Sequence, residues 1–333
     1  MVDVFMFPGQ GVQFVGMGKH LHDNFKAARL VFEEVDDALG ISLSSLMWEG
    51  TLSELSLTEN SQPAIMAVSV AVLMSLKEQG VAIDNIACVL GHSLGEYSAL
   101  VAAGAFSVSD AARLLRIRGR AMQRAVPPGI GGMVALIGVD FRLAKKLVSE
   151  AFRDGDICQV ANDNSHDQVV LSGTIDAVKR VASLAKDAYG KRSVLLRVSA
   201  PFHCKLMQPA AEVIAEALSS IEIRIPVIPI IPNVLAYTVM SQHDIRTSLI
   251  DQVIGVVRWR ESIAYIANDF RAAVSPDVGT LVCDGDHTGG LRFFELGPGN
   301  VLTNLVKRML PAAEVNTVGS SDTVRSVALI LAK

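Results

Sequence analysis

The twelve residues 89–100, VLGHSLGEYSAL, place a single serine between two glycines directly after the apolar run 86–90. Few short motifs constrain a fold more. A strand that turns through Gly-x-Ser-x-Gly into a helix exposes the serine hydroxyl and aims the first amides of that helix at it. Gly91 and Gly95 relieve the crowding that so sharp a bend creates. An ordinary strand–helix turn with an incidental serine is the simpler reading of the motif alone. The strand before it and the helical pattern after it favour Ser93 as a nucleophile.

A turn of this kind needs a helix-covered parallel sheet, and the chain alternates accordingly. VDVFMF reads as a strand, 22–39 and 62–79 as helices, IACVL as a buried strand, GEYSALVAAGA and 109–126 as helices. Strands alternating with helices predict parallel pairing. The pattern changes at VPPGIGG, 126–132. From there come a strand at 133–137, a helix at about 141–153, the strands CQVAND and QVVLSG, a helix at 174–189 and the strand RSVLLRVS. That βαββαβ order is ferredoxin-like. Helices resume from about 204, and IPNV opens the return to the main body. The expected fold is therefore α/β. A large α/β-hydrolase-like subdomain with a mainly parallel sheet takes residues 1–126 and 202–333, and a small ferredoxin-like subdomain is inserted at 127–201.

Composition narrows the function classes. A chain of 333 residues, half of them hydrophobic, can bury one large core with an insertion. A net charge of −4 gives no global basic field, so nucleic acid is not an expected partner. Cys88, Cys158, Cys204 and Cys283 lie far apart with no Cys-x-x-Cys pair, which argues against a zinc ribbon and a disulfide framework and fits a reducing compartment. The N-terminus MVDVFMFPGQG lacks a basic n-region and a long apolar stretch, and IPVIPIIP, broken by three prolines, is too short to span a bilayer. No membrane association is expected, and the expected location is the cytoplasm.

Three further stretches bear on chemistry. FPGQGVQFVGMG (7–18) invites a nucleotide reading and fails it: Phe14 stands where a dinucleotide fingerprint needs glycine, and His20 follows Gly18-Lys19 where a P-loop needs Ser or Thr. What survives, beside a plain tight turn, is a backbone donor for a developing oxyanion, such as the N–H of Gln10. SAPFHCKLM (199–207) supplies His203, one of seven histidines that could serve the serine as base. His92 should be turned away by the bend, His20, His22 and His243 lie in polar stretches expected to be exposed, and His203 follows a strand at the edge of the insertion, where a cleft would form. The sequence favours His203 without settling the choice. Cys204 beside it is a rival nucleophile, although a small buried residue at a helix start is the better reading. Finally, Arg113, Arg116, Arg118 and Arg120 crowd one helix. An arginine buried near the serine would hold a substrate carboxylate bidentately, but the spacing of the arginines singles out none of them.

Together these stretches resemble the malonyl-CoA:acyl-carrier-protein transacylases. The matching pieces are FPGQGVQFVGMG, SQPAI (61–65), GHSLGEYSAL, RGRAMQ, PFHCKLMQPAAE, IPNV (231–234), QVIGVVRW (252–259) and FFELGPGNVLTNLVKR (293–308), in the family's order over nearly the whole chain. The resemblance implies transfer of a malonyl group from malonyl-CoA to the phosphopantetheine thiol of acyl carrier protein, through a Ser93-linked intermediate, for fatty-acid synthesis. It implies His203 as base, the backbone N–H groups of Gln10 and Leu94 as oxyanion hole, and Arg118 as partner of the malonyl carboxylate. It further implies that the main-chain carbonyl of Gln252 orients the base, and that Gln62 and Asn233 line the pocket. Leu94 and Phe202 resemble malonyl-selective members. No metal or cofactor is expected, since the substrates carry phosphopantetheine, and the family suggests a monomer. Lys191-Arg192, Lys205 and Lys307-Arg308 are candidates for meeting an acidic carrier. Two departures stand out: Gly255-Val256 replaces a usual polar-then-Pro/Val pair, and CDGDHTGG (283–290) matches no motif and reads as a polar surface loop. The alternative is a serine hydrolase or thioesterase releasing the acyl group to water. It would recruit a late histidine, His287 after Asp284 and Asp286. A carrier-docking module without activity is a third class, disfavoured because every catalytic position is filled.

Overall fold

The computed structural model describes residues 1–127, 129–196, 198–270 and 290–332. Nine strands among them form two sheets. The first has the order β7–β2–β1–β8–β9, with β1 at Val2–Phe7, β2 at Cys88–Gly91, β7 at Ile230–Ile231, β8 at Leu291–Leu296 and β9 at Glu314–Val318. Every pairing in it is parallel. The second has the order β4–β5–β3–β6, with β3 at Gly131–Ile137, β4 at Cys158–Ser165, β5 at Gln168–Thr174 and β6 at Arg192–Leu195, and is antiparallel throughout. Its first and third strands lie side by side at the centre, with the helices Phe141–Glu150 and Ile175–Tyr189 as crossovers. That is the ferredoxin-like arrangement the strand order predicts.

Both faces of the parallel sheet are covered, which is why β1 runs apolar without a break from Val4 to Phe7 rather than alternating. Phe5 and Phe7 join a core with the helices Lys26–Leu39, Thr58–Glu78, Gly95–Ala102 and Val108–Ala125. Val4 and Met6 join the opposite core with Trp259, Ile263, Leu305 and Val306. In the antiparallel sheet, Val134 and Leu136 pack on its own two helices, whereas Met133 and Ala135 pack into the main core. Alternation along β3 therefore glues one sheet to the body of the other. A second seam runs through Val257, which bridges Asn162, while Arg260 forks onto the fully buried Asp163 at 2.7–3.1 Å.

Several local expectations shift. The helix expected at 22–39 is two helices, Lys19–Asn24 and Lys26–Leu39, because Phe25 takes extended angles and buries its ring instead of continuing the turn. The helix expected at 62–79 starts at Thr58 and carries Pro63 inside it. His20 and His22 are half-buried rather than exposed, His22 lying 4.8 Å from the Trp48 ring. The stretch from Cys283 to Gly289, with Asp284, Asp286 and His287, lies outside the described residues, as does Arg197 of RSVLLRVS.

Candidate active site

Three adjacent parallel strands end on one side of the sheet, and a site residue follows each within a few positions. Gln10 follows β1, Ser93 follows β2 and Asn233 follows β7. Carboxyl ends of parallel strands are where open α/β sheets bind their ligands.

Ser93 stands at the bend with φ 53°, in the left-handed region that non-glycine residues avoid. The bend is close enough that a Cβ on Gly91 would overlap the carbonyl of Gly95, and one on Gly95 the carbonyl of Phe7. Only glycine fits either position. Neither the N–H of Gln10 nor that of Leu94 donates to a protein acceptor among the described residues. By contrast, the N–H of Ser93 donates to Asn233 Oδ1 at 2.7 Å, and Asn233 Nδ2 donates to the Gly91 carbonyl at 2.6 Å, so this side chain staples the bend to the end of β7. His92 points the other way, its Nε2 3.0 Å from Asn164 Oδ1 on the second sheet.

His203 reaches Ser93 from the chain that leaves the insertion. Its Nε2 lies 2.8 Å from Ser93 Oγ, and its Nδ1 lies 2.8 Å from the carbonyl of Gln252, so Nδ1 carries the proton and Nε2 faces the hydroxyl as acceptor. His203 also has a positive φ, 59°, and is only 3 % exposed. Burial foremost, then the Arg118 charge, pull its pKa down to about 3 against the favourable Gln252 contact, so the ring is neutral at physiological pH. The departure at Gly255 does not displace this carbonyl, since the Gly255 N–H closes the helix end onto Asp251 at 2.8 Å. Cys204 is buried with Sγ against the Pro201 carbonyl at 3.2 Å, and burial raises its thiol pKa, the opposite of an activated thiolate.

Among the described residues Arg118 is the single large cation in the site, 1 % exposed. It donates to Ser93 Oγ at 3.1 Å, Gln62 Oε1 at 2.8 Å and Gln252 Oε1 at 2.9 Å, and it lies over the Tyr97 ring. Its Nε, also buried, finds no acceptor among the described residues. Of its neighbours, Arg113 and Arg120 lie half-exposed against Asp110 and Glu59, while Arg116 donates to Asn60 Oδ1 at 2.7 Å away from the serine. Counting arginines cannot separate them, but the helical period does. Ala111, Leu115, Arg118 and Met122 recur at helical spacing on the buried face. Gly119 alongside lets the backbone at Thr58–Glu59 come within 2.6 Å of where a Cβ would stand, which brings Gln62 up to the guanidinium.

Another residue meets the site that the sequence reading passes over. Glu96, on the helix after Ser93, is 1 % exposed, and its Oε2 accepts from Gln252 Nε2 and from the Asn233 N–H, each at 2.8 Å. The available signal was a lone carboxylate inside the otherwise small and apolar run GEYSALVAAGA, where a charge must find buried partners. Among the described residues no cluster of three or more His, Cys, Asp or Glu is placed to hold a metal ion, and no helix is long and apolar enough to cross a membrane.

A serine in a strained turn, a neutral histidine on its hydroxyl, two unspent backbone donors and a buried guanidinium define a nucleophilic acyl-transfer site. Comparison with known proteins agrees with that class: the family described as acyl transferase domain matches residues 4–282. The Bacillus subtilis malonyl CoA-acyl carrier protein transacylase is 42 % identical over 96 % of this chain and 94 % of its own. An acyl-carrier-protein S-malonyltransferase crystal structure from Bartonella henselae superposes with a TM-score of 0.91 at 43 % identity, covering all of both chains. A malonyl-transacylase solved in complex with a type II PKS acyl-carrier protein superposes at 0.89 with 36 % identity, over 99 % of this chain and all of the other. The chain belongs to the malonyl CoA-acyl carrier protein transacylase family of acyl transferases.

Proposed function

We propose that the chain transfers malonyl from malonyl-CoA to the phosphopantetheine thiol of an acyl carrier protein, supplying fatty-acid synthesis. The observation that carries the acyl specificity is the buried Arg118 guanidinium 3.1 Å from Ser93 Oγ. In a malonyl ester on Ser93 the free carboxylate lies one methylene beyond the ester carbonyl, a span short enough for a cation beside Oγ to meet it.

Ser93 Oγ attacks the thioester carbonyl while His203 Nε2 takes its proton. The oxyanion forms against the N–H groups of Gln10 and Leu94, which have no competing acceptor. Collapse expels the CoA sulfur, His203 returns the proton to it, and the malonyl group remains on Ser93. The carrier thiol then repeats the sequence, giving its proton to His203 and taking the acyl group. Gln252 orients the histidine through its carbonyl and the arginine through its side chain. Gln62 and Asn233 complete the polar wall. Transfer prevails over hydrolysis because the acyl group is held by its carboxylate in a buried pocket, while a long thiol arm enters from the surface. His203 supports this reading over one using a late histidine, since it already contacts Ser93. The reaction needs no metal and no cofactor of its own, the chain acts as a monomer, and its location is the cytoplasm.

The deciding experiment incubates the protein with malonyl-CoA and reduced carrier protein, following malonyl-carrier and free malonate together. Malonyl-carrier should accumulate in step with CoA, and Ser93→Ala should form no acyl-enzyme. Malonate release without carrier loading would overturn the proposal.

A further inference from the structure

Arg118 is a buried cation whose hydrogen-bond partners among the described residues are all neutral: Gln62, Ser93 and Gln252. A charge so placed needs a counter-charge nearby. The structure supplies one at the far end of a single amide. Glu96 Oε2 accepts from Gln252 Nε2 at 2.8 Å, and Gln252 Oε1 accepts from Arg118 Nη2 at 2.9 Å. The orientation of that amide is fixed, because Nε2 also donates to the Ser93 carbonyl at 3.0 Å. Reversing the amide would set oxygen against oxygen on one side and donor against donor on the other.

We propose that Glu96 is a positioning residue and the built-in counter-ion of Arg118, relayed through Gln252, and that it takes up a proton when an acyl carboxylate arrives on the arginine. This rests on the carboxylate-clamp reading of Arg118. A second carboxylate beside the same cation makes two negative charges share one positive one, and the buried, protein-held partner is the one able to neutralise. Binding and protonation are then reciprocal: if the acyl carboxylate favours protonated Glu96, ionised Glu96 weakens binding of that carboxylate by the same factor. Glu96 therefore sets how tightly the clamp holds malonyl, so that the acyl group is gripped without being trapped.

The surrounding groups leave Glu96 as the one poised to respond. Burial lifts its carboxyl to about 7, against the lowering contacts from Asn233, Gln252 and Arg118. Among the described residues the titratable groups nearest this network are Arg118 from the helix Val108–Ala125, His203 from the chain leaving the insertion and Tyr97 on the same helix as Glu96, with His92 on the bend turned away onto Asn164. His203 is held down to about 3, Tyr97 is raised to about 12, and burial lowers His92. The buried stretch 60–76 of the helix packed against them holds no titratable side chain.

The test has two independent parts. Serine acylation by a thioester is proton-neutral, because the serine proton leaves on the CoA thiol. Calorimetry of wild-type protein with malonyl-CoA near pH 7, in buffers of different ionisation enthalpy, should therefore show net proton uptake, and acetyl-CoA should show none. In Glu96→Gln, which keeps an acceptor and removes the charge, KM for malonyl-CoA at pH 8, where wild-type Glu96 is mostly ionised, should fall roughly three- to tenfold with KM for acetyl-CoA unmoved. Absence of proton uptake overturns the proposal even where the variant fails to fold. So does a change that is equal for the two thioesters, which is what a merely structural role would give. Arg118→Ala run in parallel separates the two readings. If it keeps its preference for malonyl over acetyl, the clamp itself falls. If it loses that preference while Glu96→Gln leaves malonyl KM unchanged, only the present inference falls.

Discussion

Ser93 is held from two sides by different kinds of structure. On the sheet side the bend is set by backbone against backbone: Gly91 over Gly95, Gly95 over the Phe7 carbonyl, and the ends of three paired strands in register. On the helix side it is held by side chains that meet from distant parts of the chain: Arg118, Asn233 and Gln252 bond to Ser93, and Gln62 braces Arg118. The first side has no spare volume and no charge. The second has a buried charge and a chain of amides whose polarity matters more than their bulk. The two sides should therefore fail differently, one by folding and the other by chemistry.

The largest effect is expected where volume is added at the bend. Gly95→Ala drives a methyl into the Phe7 carbonyl, and a denaturant titration should show a loss of about 4 kcal/mol or more, or no folded protein. The matched control is Gly11→Ala, which has a positive φ of 104° but open space around it. That substitution should cost only about 1 kcal/mol of backbone strain. Equal losses at the two positions would mean that the tightness of the bend is not what confines Ser93. Next is Arg118→Met, which removes the charge and keeps much of the length. Malonyl transfer should fall roughly a hundredfold or more, the usual cost of removing one partner from a buried charge contact. Unfolding free energy should stay within about 2 kcal/mol of wild type, since an apolar chain replaces a buried cation and Glu96, freed of it, takes up a proton rather than staying as an unpaired charge. A variant that unfolds like Gly95→Ala would erase the distinction between the two sides.

The same division explains what could be read in advance. The parallel sheet, the insertion's strand order and the elbow all follow from local patterns: apolar runs, 3.6-residue periods, and glycines where a bend leaves no room for a Cβ. The helix side was legible only through resemblance to other chains. Nothing local says that Gln252, at the end of a helix, will present its carbonyl to His203 and its side chain to Arg118. Such contacts are created by topology, which brings the ends of β1, β2 and β7 together. Arg118 is the intermediate case, since its place on the buried stripe was available from periodicity and was obscured by three neighbouring arginines. The break at Phe25 was not legible, because a buried aromatic at a helix junction looks the same in sequence as one inside a helix.

Acid and base titrations sharpen the comparison with smaller effects. His203 titrates at about 3 when folded, below its ordinary 6.5, so between those values only the unfolded chain takes the proton. Its contribution to stability is complete above 6.5 and is lost as pH falls toward 3. Glu96 has the opposite sign. Its folded value of about 7 lies above the ordinary 4.5, so its contribution is complete below 4.5 and is lost as pH rises through 7. Unfolding free energy measured from pH 4 to 8 should lose part of its acid-side slope in His203→Asn and part of its neutral-side decline in Glu96→Gln. Variants that leave both slopes unchanged would show that neither buried group differs in protonation between the folded and unfolded chain.

The smallest effect is expected at the residue beside the base. Cys204 adjoins His203 in sequence, yet its Sγ is turned to the Pro201 carbonyl at 3.2 Å, while His203 Nε2 faces Ser93. The side chain is buried, and its raised pKa keeps the thiol protonated. A serine hydroxyl is smaller than the thiol and can donate to the same carbonyl, so Cys204→Ser should cost about 1 kcal/mol or less. Malonyl transfer should remain within roughly twofold of wild type, because the substitution leaves the Ser93–His203 contact in place. A loss of acyl-enzyme comparable to that of Ser93→Ala would instead make the thiol a participant, and the assignment of the nucleophile to the strained bend would have to be abandoned.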